Sequence, residues 1–371
     1  MSALSKILSL AISRVALNPA VIGALLWILT RGPDSIRDRL ISKVSALRNP
    51  ETLRRVTKAL GWLLVLGTAN TVNRKFNELA LNAYRANDER KRWKWNKEIA
   101  VVTGGCSGIG LLVVKRLILR GVKVAILDVQ QLPPALQGYA SVKLFVCDIT
   151  DPSAVSKTAE KVKAMLGSPS ILVNNAGIGQ PHAVLKTSPE YLRKIFDVNV
   201  LSHWYLVQEF LPDMVAKNKG HVVTVASMAS YVTVAGMVDY AATKAAVLAF
   251  HEGNYSYDRY HMELTHPLIG IAAEVRLRHK APNILFTSVH PLWVRTPLLE
   301  PFNAGLKAAG SPILEPEQVA DAISEQLARC SSGQLYVPGS ASQAASIRGW
   351  PNWAQEYFRG GPIAKALVNA A

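Results

Sequence analysis

The chain of 371 residues carries 42 Lys and Arg against 26 Asp and Glu, a net charge of +16, and 49% of its residues are hydrophobic. That length and apolar content allow one large folded domain with an appendage, or two domains, and exclude a disordered chain. The basicity is lopsided, with 18 basic and 7 acidic residues within 1–98, a net +11; because these residues flank apolar stretches, they point to an anionic membrane face rather than to nucleic acid.

The first apolar stretch runs from Val15 to Thr30 and the second from Ala59 to Thr68, bracketed by Arg14, Arg31, Arg54, Arg55, Lys58, Arg74 and Lys75. Both are apolar all round rather than striped. Each is shorter than the roughly 20 residues of a spanning helix, and Asn18 and Pro19 interrupt the first. The favoured reading is a hairpin or interfacial helices embedded in one leaflet, with Trp27 and Trp62 near the headgroups, ahead of a single span. An amphipathic helix lying on a soluble domain is the alternative. Arg14 breaks the run after Lys6 too soon for a cleaved secretory signal. The polar, mostly helical connector ends in Arg90-Lys91-Arg92-Trp93-Lys94-Trp95, read as a membrane-surface collar or as a solvated charged linker.

From Asn96 the pattern changes to strands and helices in alternation. Ile99–Val102 reads as a buried strand, Gly108–Arg120 as a helix closed by Gly121, and Val122–Leu127 as a second strand ending in Asp128. Further strands are predicted at Val142–Val146, Ile171–Val173, His221–Val225, Ile284–Val289 and Leu335–Val337. The fold class is therefore α/β, a Rossmann-type doubly wound parallel sheet of about seven strands preceded by a helical membrane-associated segment. The expected domains are residues 1–97 as that segment and its linker, 98–345 as the dinucleotide-binding domain, and 346–371 as an aromatic tail with Trp350, Trp353 and Tyr357, which closes a substrate mouth or touches lipid. Cys106, Cys147 and Cys330 show no paired spacing, so they read as reduced thiols of a cytosol-facing domain, without a metal site.

The turn after the first strand supplies the first chemistry. Gly104 lets the chain turn tightly, Gly108 lets backbone approach a pyrophosphate, and Gly110 lets the next helix press on the sheet, with its N-terminal amides facing the phosphates. Asp128, 18 residues beyond Gly110, suits the adenosine ribose hydroxyls and would repel a 2′-phosphate. This favours NAD(H), with NADP(H) left open. Tyr240 and Lys244 stand four residues apart on a predicted helix. The ammonium is thus expected to lie near the phenol and lower its pKa toward working pH. Ser227, 13 residues upstream at a strand end, adds a hydroxyl.

The spacing Thr-Gly-x-x-x-Gly-x-Gly at Thr103–Gly110, the Asn174-Asn175-Ala176-Gly177 run, Ser227 and Tyr240-x-x-x-Lys244 resemble the short-chain dehydrogenase/reductase superfamily over residues 98–340. By that resemblance Tyr240 exchanges the proton with the substrate oxygen, Ser227 orients that oxygen, and Lys244 holds the nicotinamide ribose. Asn199 maintains a water-linked relay to the lysine. The resemblance further assigns Thr103, Ser107, Ile109, Asp148, Ile149, Asn175, Ala176, Gly177, Val294 and Thr296 to cofactor binding, alongside the glycines and Asp128. Leu292 stands where family members carry the glycine of a Pro-Gly pair.

His221–Ser227, Ala235–Tyr240 and Phe250–Gly253 are similar to the membrane-bound retinol dehydrogenase and 17-beta-hydroxysteroid dehydrogenase branch. That branch implies attachment at the endoplasmic reticulum or lipid droplets, lipophilic substrates such as retinoids, steroids or long-chain aldehydes, and homodimers. One segment departs from the pattern. Asn254 to about Ala272 intervenes before Glu274-Val275-Arg276-Leu277. It reads as a retained intron, since Gly253-Asn254 can be encoded across a splice donor and Leu264-Thr265 across a branch point. The leading expectation is a membrane-associated oxidoreductase of CH–OH groups on a lipophilic alcohol or carbonyl. A catalytically weak, cofactor-binding interaction protein of a membrane or lipid droplet is the alternative, and a nucleotide-sugar epimerase or dehydratase fits the fold but not the glycine spacing.

Overall fold

The computed structural model describes residues 18–85, 89–181, 183–233, 236–252, 270–308 and 310–359. The leader reading around Lys6 and Arg14, the start of the first apolar stretch, Ala235, and the interruption as far as Ile269 lie outside these residues. The chain divides into two compact units, Met1–Arg85 and Ala86–Ala371.

In the first unit, α1 (Pro19–Arg31) begins where the Asn18 side chain accepts the Ala20 amide, and α3 (Pro50–Leu81) where that of Asn49 accepts those of Glu51 and Thr52, with α2 (Asp34–Lys43) between them. Each of these caps satisfies amides that a helix start leaves without a partner. Gly23 of α1 faces Leu64 of α3. Ile22 and Leu29 are buried, whereas Trp27 is 52% and Trp62 64% exposed, along with Val65, Leu66 and Phe76. Among the described residues no helix is long and apolar enough to cross a membrane.

The second unit is built on a seven-stranded parallel sheet in the order β3-β2-β1-β4-β5-β6-β7. The strands are β1 (Ile99–Thr103), β2 (Lys123–Asp128), β3 (Val142–Val146), β4 (Ile171–Asn174), β5 (Gly220–Val225), β6 (Ile284–Pro291) and β7 (Gly333–Val337). The central strands β1, β4, β5 and β6 are buried at every residue, the pattern of a sheet covered on both faces. Flanking helices include α4 (Gly108–Leu119), α5 (Pro152–Leu166), α6 (Pro189–Phe196), α7 (Ser202–Lys217), α8 (Val238–Glu252), α9 (Ile271–Leu277) and α10 (Pro316–Arg329). Strand order reverses between β1 and β4, which opens a crevice at their C-terminal ends, the place for a ligand in such folds.

Two features differ from the sequence expectations. Trp93 is 7% exposed and stacks on Trp95 at 5.7 Å, edge-on to His221 at 6.5 Å, with the Lys219 ammonium 4.8 Å over its ring. These tryptophans therefore pack into the catalytic unit and do not form a membrane collar. Beside them Glu98, 4% exposed, gathers the Lys219 ammonium at 2.5 Å, the Ser170 hydroxyl at 2.6 Å and the Lys94 amide at 3.0 Å. A buried carboxylate is tolerated when it is paired and hydrogen-bonded in this way. At the far end of the interruption, Ile271 and Ala272 already belong to α9 and are buried in the core.

Candidate active site

The glycine turn forms because β1 must release the chain directly under α4. Gly104 has φ +64° and Gly108 φ +52°, backbone that other residues enter only at a cost. A Cβ on Gly110 would lie 2.1 Å from the Gly104 carbonyl oxygen, so helix and turn meet backbone to backbone. The run after β4 braces the turn. The Thr103 hydroxyl accepts the Asn175 and Ala176 amides at 3.0 and 3.1 Å, and Asn175 Nδ2 donates to the Thr103 and Gly104 carbonyls at 3.0 and 3.2 Å.

A groove of about 1000 Å³ runs over this turn, lined by Gly104, Ser107, Gly108, Ile109, Asp128, Asp148, Ile149, Asn175, Ala176, Gly177 and Thr296. Thr103 and Gly110 lie outside its lining. Asp128 accepts the Cys106 amide at 2.9 Å and the Gln130 amide at 3.0 Å, which fixes its carboxylate at the end of β2. Asp148 accepts the amide and hydroxyl of Thr150. Burial and Asp128 push the Cys106 thiol up to about 12, so the cysteine in the turn is an inert packing group.

A second cavity, of about 930 Å³, adjoins the groove and shares Ile109, Asn175, Gly177 and Thr296 with it. Ser227, Tyr240 and Lys244 line it, as do Met237, Leu292, Trp293, Val294, Leu299, Phe302, Ile347 and Tyr357. Ser227, two residues beyond β5, is extended and begins the next turn, and its Oγ accepts the Ala229 amide at 3.1 Å. The Ser230 hydroxyl, in the same turn, is buried and donates to the Lys244 carbonyl at 2.8 Å. Leu292 keeps a negative φ, and its amide donates to Val337 at 2.9 Å, so the missing glycine leaves the strand exit intact.

Asn199 sits in a π-helical turn, Asp197–Leu201, between α6 and α7, a wide turn that frequently marks functional positions. Its Oδ1 accepts the Ile178 amide, and its Nδ2 donates to the Ile178 carbonyl and to Thr243 Oγ1, which in turn donates to the Tyr240 carbonyl. A Cβ on Gly177 would stand 3.3 Å from Asn199 Oδ1 and 3.6 Å from Lys244 Nζ, so the asparagine and the lysine meet across that glycine.

The Tyr240 and Lys244 electrostatics depart from the sequence expectation. Lys244 Nζ lies 5.6 Å from the Tyr240 ring centroid and donates to the Val225 carbonyl at 2.9 Å. Burial pushes the phenol up to about 12, while a hydrogen bond with Ser227 pulls the other way. Burial lowers the ammonium to about 8. The helical spacing thus brings the two together, but desolvation outweighs charge stabilisation of the phenolate. Two contributors carried no sequence signal: Thr243, an ordinary hydroxyl on α8, and Gly179, where a Cβ would come within 2.9 Å of Tyr240 Cδ2.

Fold and site define a dinucleotide-dependent oxidoreductase of alcohols and carbonyls. The short chain dehydrogenase profile matches residues 98–255. A dehydrogenase of Cochliobolus heterostrophus, RED2, is 39% identical over 203 residues, 54% of this chain and 75% of its own. Epidermal retinol dehydrogenase 2 of Mus musculus is 32% identical over 65% of this chain and 74% of its own, and human estradiol 17-beta-dehydrogenase 11 is 29% identical over 68% and 78%. The chain belongs to the short-chain dehydrogenase/reductase family, on the side of the retinol and 17-beta-hydroxysteroid dehydrogenases. A 3-ketoacyl-(acyl-carrier-protein) reductase from Brucella melitensis, complexed with NADH, shares the fold with TM-score 0.53 and 23% identity over 66% of this chain and 98% of its own.

The residues present fit a nicotinamide dinucleotide. A Cβ on Gly108 would touch Thr296 at 3.2 Å, so only a bare backbone leaves room at the pyrophosphate position. Ser107, at the start of α4, makes no capping bond, and the helix's first amides are available to phosphate oxygens.

Proposed function

We propose that this protein is a membrane-associated, NAD(H)-linked dehydrogenase or reductase of a lipophilic alcohol or carbonyl, in the retinoid, steroid or long-chain aldehyde class. The observation that carries the reading is the apolar cavity of about 930 Å³ with Ser227, Tyr240 and Lys244 on its wall beside the dinucleotide groove. Asp128 supports NAD(H) over NADP(H), as a fixed carboxylate at the end of β2 repels a 2′-phosphate. The exposed Trp27 on α1 and Trp62, Val65 and Leu66 on α3, within short basic-flanked apolar stretches, support docking to a lipid surface of the endoplasmic reticulum or a lipid droplet, with the catalytic unit on the cytosolic side.

A bound nicotinamide supplies or accepts the hydride. The chain's own groups handle the oxygen and its proton. The Tyr240 phenol, raised to about 12, keeps its proton at neutral pH and donates it to a substrate oxygen during reduction. Ser227 Oγ already accepts the Ala229 amide, so its own O–H is turned to donation and orients the same oxygen. Lys244, lowered to about 8, gains and loses a proton near working pH, which suits replenishment of the phenol. Asn199 ties the π turn to Thr243 and lies across Gly177 from Lys244, beside that route.

The test uses detergent-solubilised full-length protein with NADH or NADPH and all-trans-retinal, a steroid ketone or a long-chain aldehyde, beside Tyr240→Phe. Turnover that disappears in the variant supports the reading. Cofactor binding without turnover of any of the three refutes it in favour of a cofactor-binding interaction protein.

A further inference from the structure

His290, next to last in β6, is fully buried, and its ring packs in a cluster with two tyrosines that also contact each other, their ring centroids 6.0 Å apart. Tyr336 lies nearly parallel at 5.2 Å and Tyr231 tilted at 5.1 Å. The tyrosine hydroxyls approach to 3.3 Å, and that of Tyr336 donates to Gln334, so the aromatic cluster is itself fixed. The edges of the imidazole meet two polar groups: Nδ1 is 3.4 Å from the Ser227 carbonyl and Nε2 is 3.0 Å from the Ser288 hydroxyl.

A carbonyl oxygen can only accept. Nδ1 therefore carries the hydrogen, and Nε2 offers its lone pair to the Ser288 hydroxyl. Burial, with Lys244 adding to it, lowers the imidazole to about 4, so the ring is neutral under working conditions and one tautomer satisfies both neighbours. The Ser227 carbonyl also accepts the Ser230 amide at 3.0 Å. It is thus gripped from two directions, by the turn it begins and by the adjacent strand. That grip fixes the peptide plane after Ser227, and through it the direction of the side chain shared by Tyr240 and the Ala229 amide.

We propose that His290 is a positioning residue, whose Nδ1–H holds the Ser227 carbonyl so that the serine hydroxyl meets the substrate oxygen beside Tyr240. The proposal rests on the role of Ser227 given above. Ser288 and the two tyrosines set the ring, and the ring sets the serine. A merely packed residue at this position would need volume alone, whereas this role needs a donor at the Nδ1 position.

The experiment compares kcat, KM, NADH affinity and melting temperature for His290→Leu, His290→Asn, Ser227→Ala and the double variant Ser227→Ala/His290→Leu in full-length protein. His290→Leu is expected to lower kcat about tenfold, equivalent to ~1.4 kcal/mol, with KM and NADH affinity within about twofold. His290→Asn, whose amide nitrogen takes the place of Nδ1, recovers most of that loss. In the Ser227→Ala background, His290→Leu adds nothing further, because its effect passes through the serine. Equal losses in the Leu and Asn variants, or an additive loss in the double variant, overturn the proposal. Full activity in Ser227→Ala overturns the reading of Ser227 and the proposal with it. Should His290→Leu fail to fold, His290→Gln, whose amide reaches only the Nε2 position, replaces it against His290→Asn with the same expected order.

Discussion

Replacing Lys244 with Met should make the protein more stable and inactive at once. Lys244 is 3% exposed, and burial takes its ammonium from 10.5 to about 8. Each pH unit of that difference corresponds to ~1.4 kcal/mol, so keeping the charge at pH 7 destabilises the folded state by on the order of 3 kcal/mol. Met preserves most of the side-chain volume, but the Val225 carbonyl loses the charged donor it has at 2.9 Å, worth about 2 kcal/mol. A net gain of about 1 kcal/mol remains at pH 7. Because the folded value lies below the unfolded one, the unfolded chain binds more protons between about pH 8 and 10.5, and wild-type stability rises with pH across that window. The advantage of Lys244→Met is full below pH 8 and fades toward pH 10.5. Urea unfolding of both proteins without cofactor, at about pH 7 and about pH 10, reads the difference directly through the midpoint at constant slope. Parallel pH dependences, or a variant less stable at pH 7, would refute the claim that this lysine is held against its own desolvation.

Gly110→Ala sets a methyl against the Gly104 carbonyl and is expected to destabilise by about 2 kcal/mol or more, with NADH affinity reduced over tenfold in a fluorescence titration; unchanged affinity would remove the glycine turn from the cofactor site. Gly179→Ala pushes on the Tyr240 ring and should lower kcat about tenfold while NADH binds as before; a parallel loss of cofactor binding would mean the loop, not the tyrosine, had moved. Asp128→Ala should raise the ratio of NADPH to NADH kcat/KM about tenfold or more, and an unchanged ratio would show that the carboxylate does not select the cofactor. Protein from the native source is expected to lack peptides from Tyr255 to His261, as a retained intron requires; their detection by mass spectrometry in active enzyme would make the segment genuine.

The sheet was legible because its central strands are buried on both faces, so Ile99–Val102 and Ile171–Val173 read as unbroken apolar runs and His221–Val225 as a mostly apolar, valine-rich one, with ends within two residues of the observed ones. The glycine turn was legible for a different reason, since φ +64° at Gly104 and backbone contact at Gly110 admit few other residues. Trp93 and Trp95 were misread. A basic, aromatic run has the same composition under a sheet as on a membrane, and only Lys219, His221 and Glu98, distant in sequence, decide between them. Spacing correctly paired Tyr240 with Lys244 on one helix face. It carried no information about Val225, whose carbonyl takes the ammonium, or about how deeply both side chains are buried. His290 was visible only as part of a strand exit, because its role depends on a carbonyl more than sixty residues away.

The hub at Glu98 has a practical consequence for anyone dividing this protein. Its three donors come from Lys94, Ser170 and Lys219, so it stitches the residues ahead of the first strand to the loops entering the fourth and fifth. A soluble catalytic fragment cut at Glu98, where the family profile begins, would expose that carboxylate's neighbourhood and discard the indole ring that covers His221. A cut upstream of Glu89 retains both, along with the pairing of Glu89 with Arg92 at 2.9 Å. The first strand of this enzyme needs its preamble, and a shorter fragment that fails to fold would say nothing about the chemistry above the sheet.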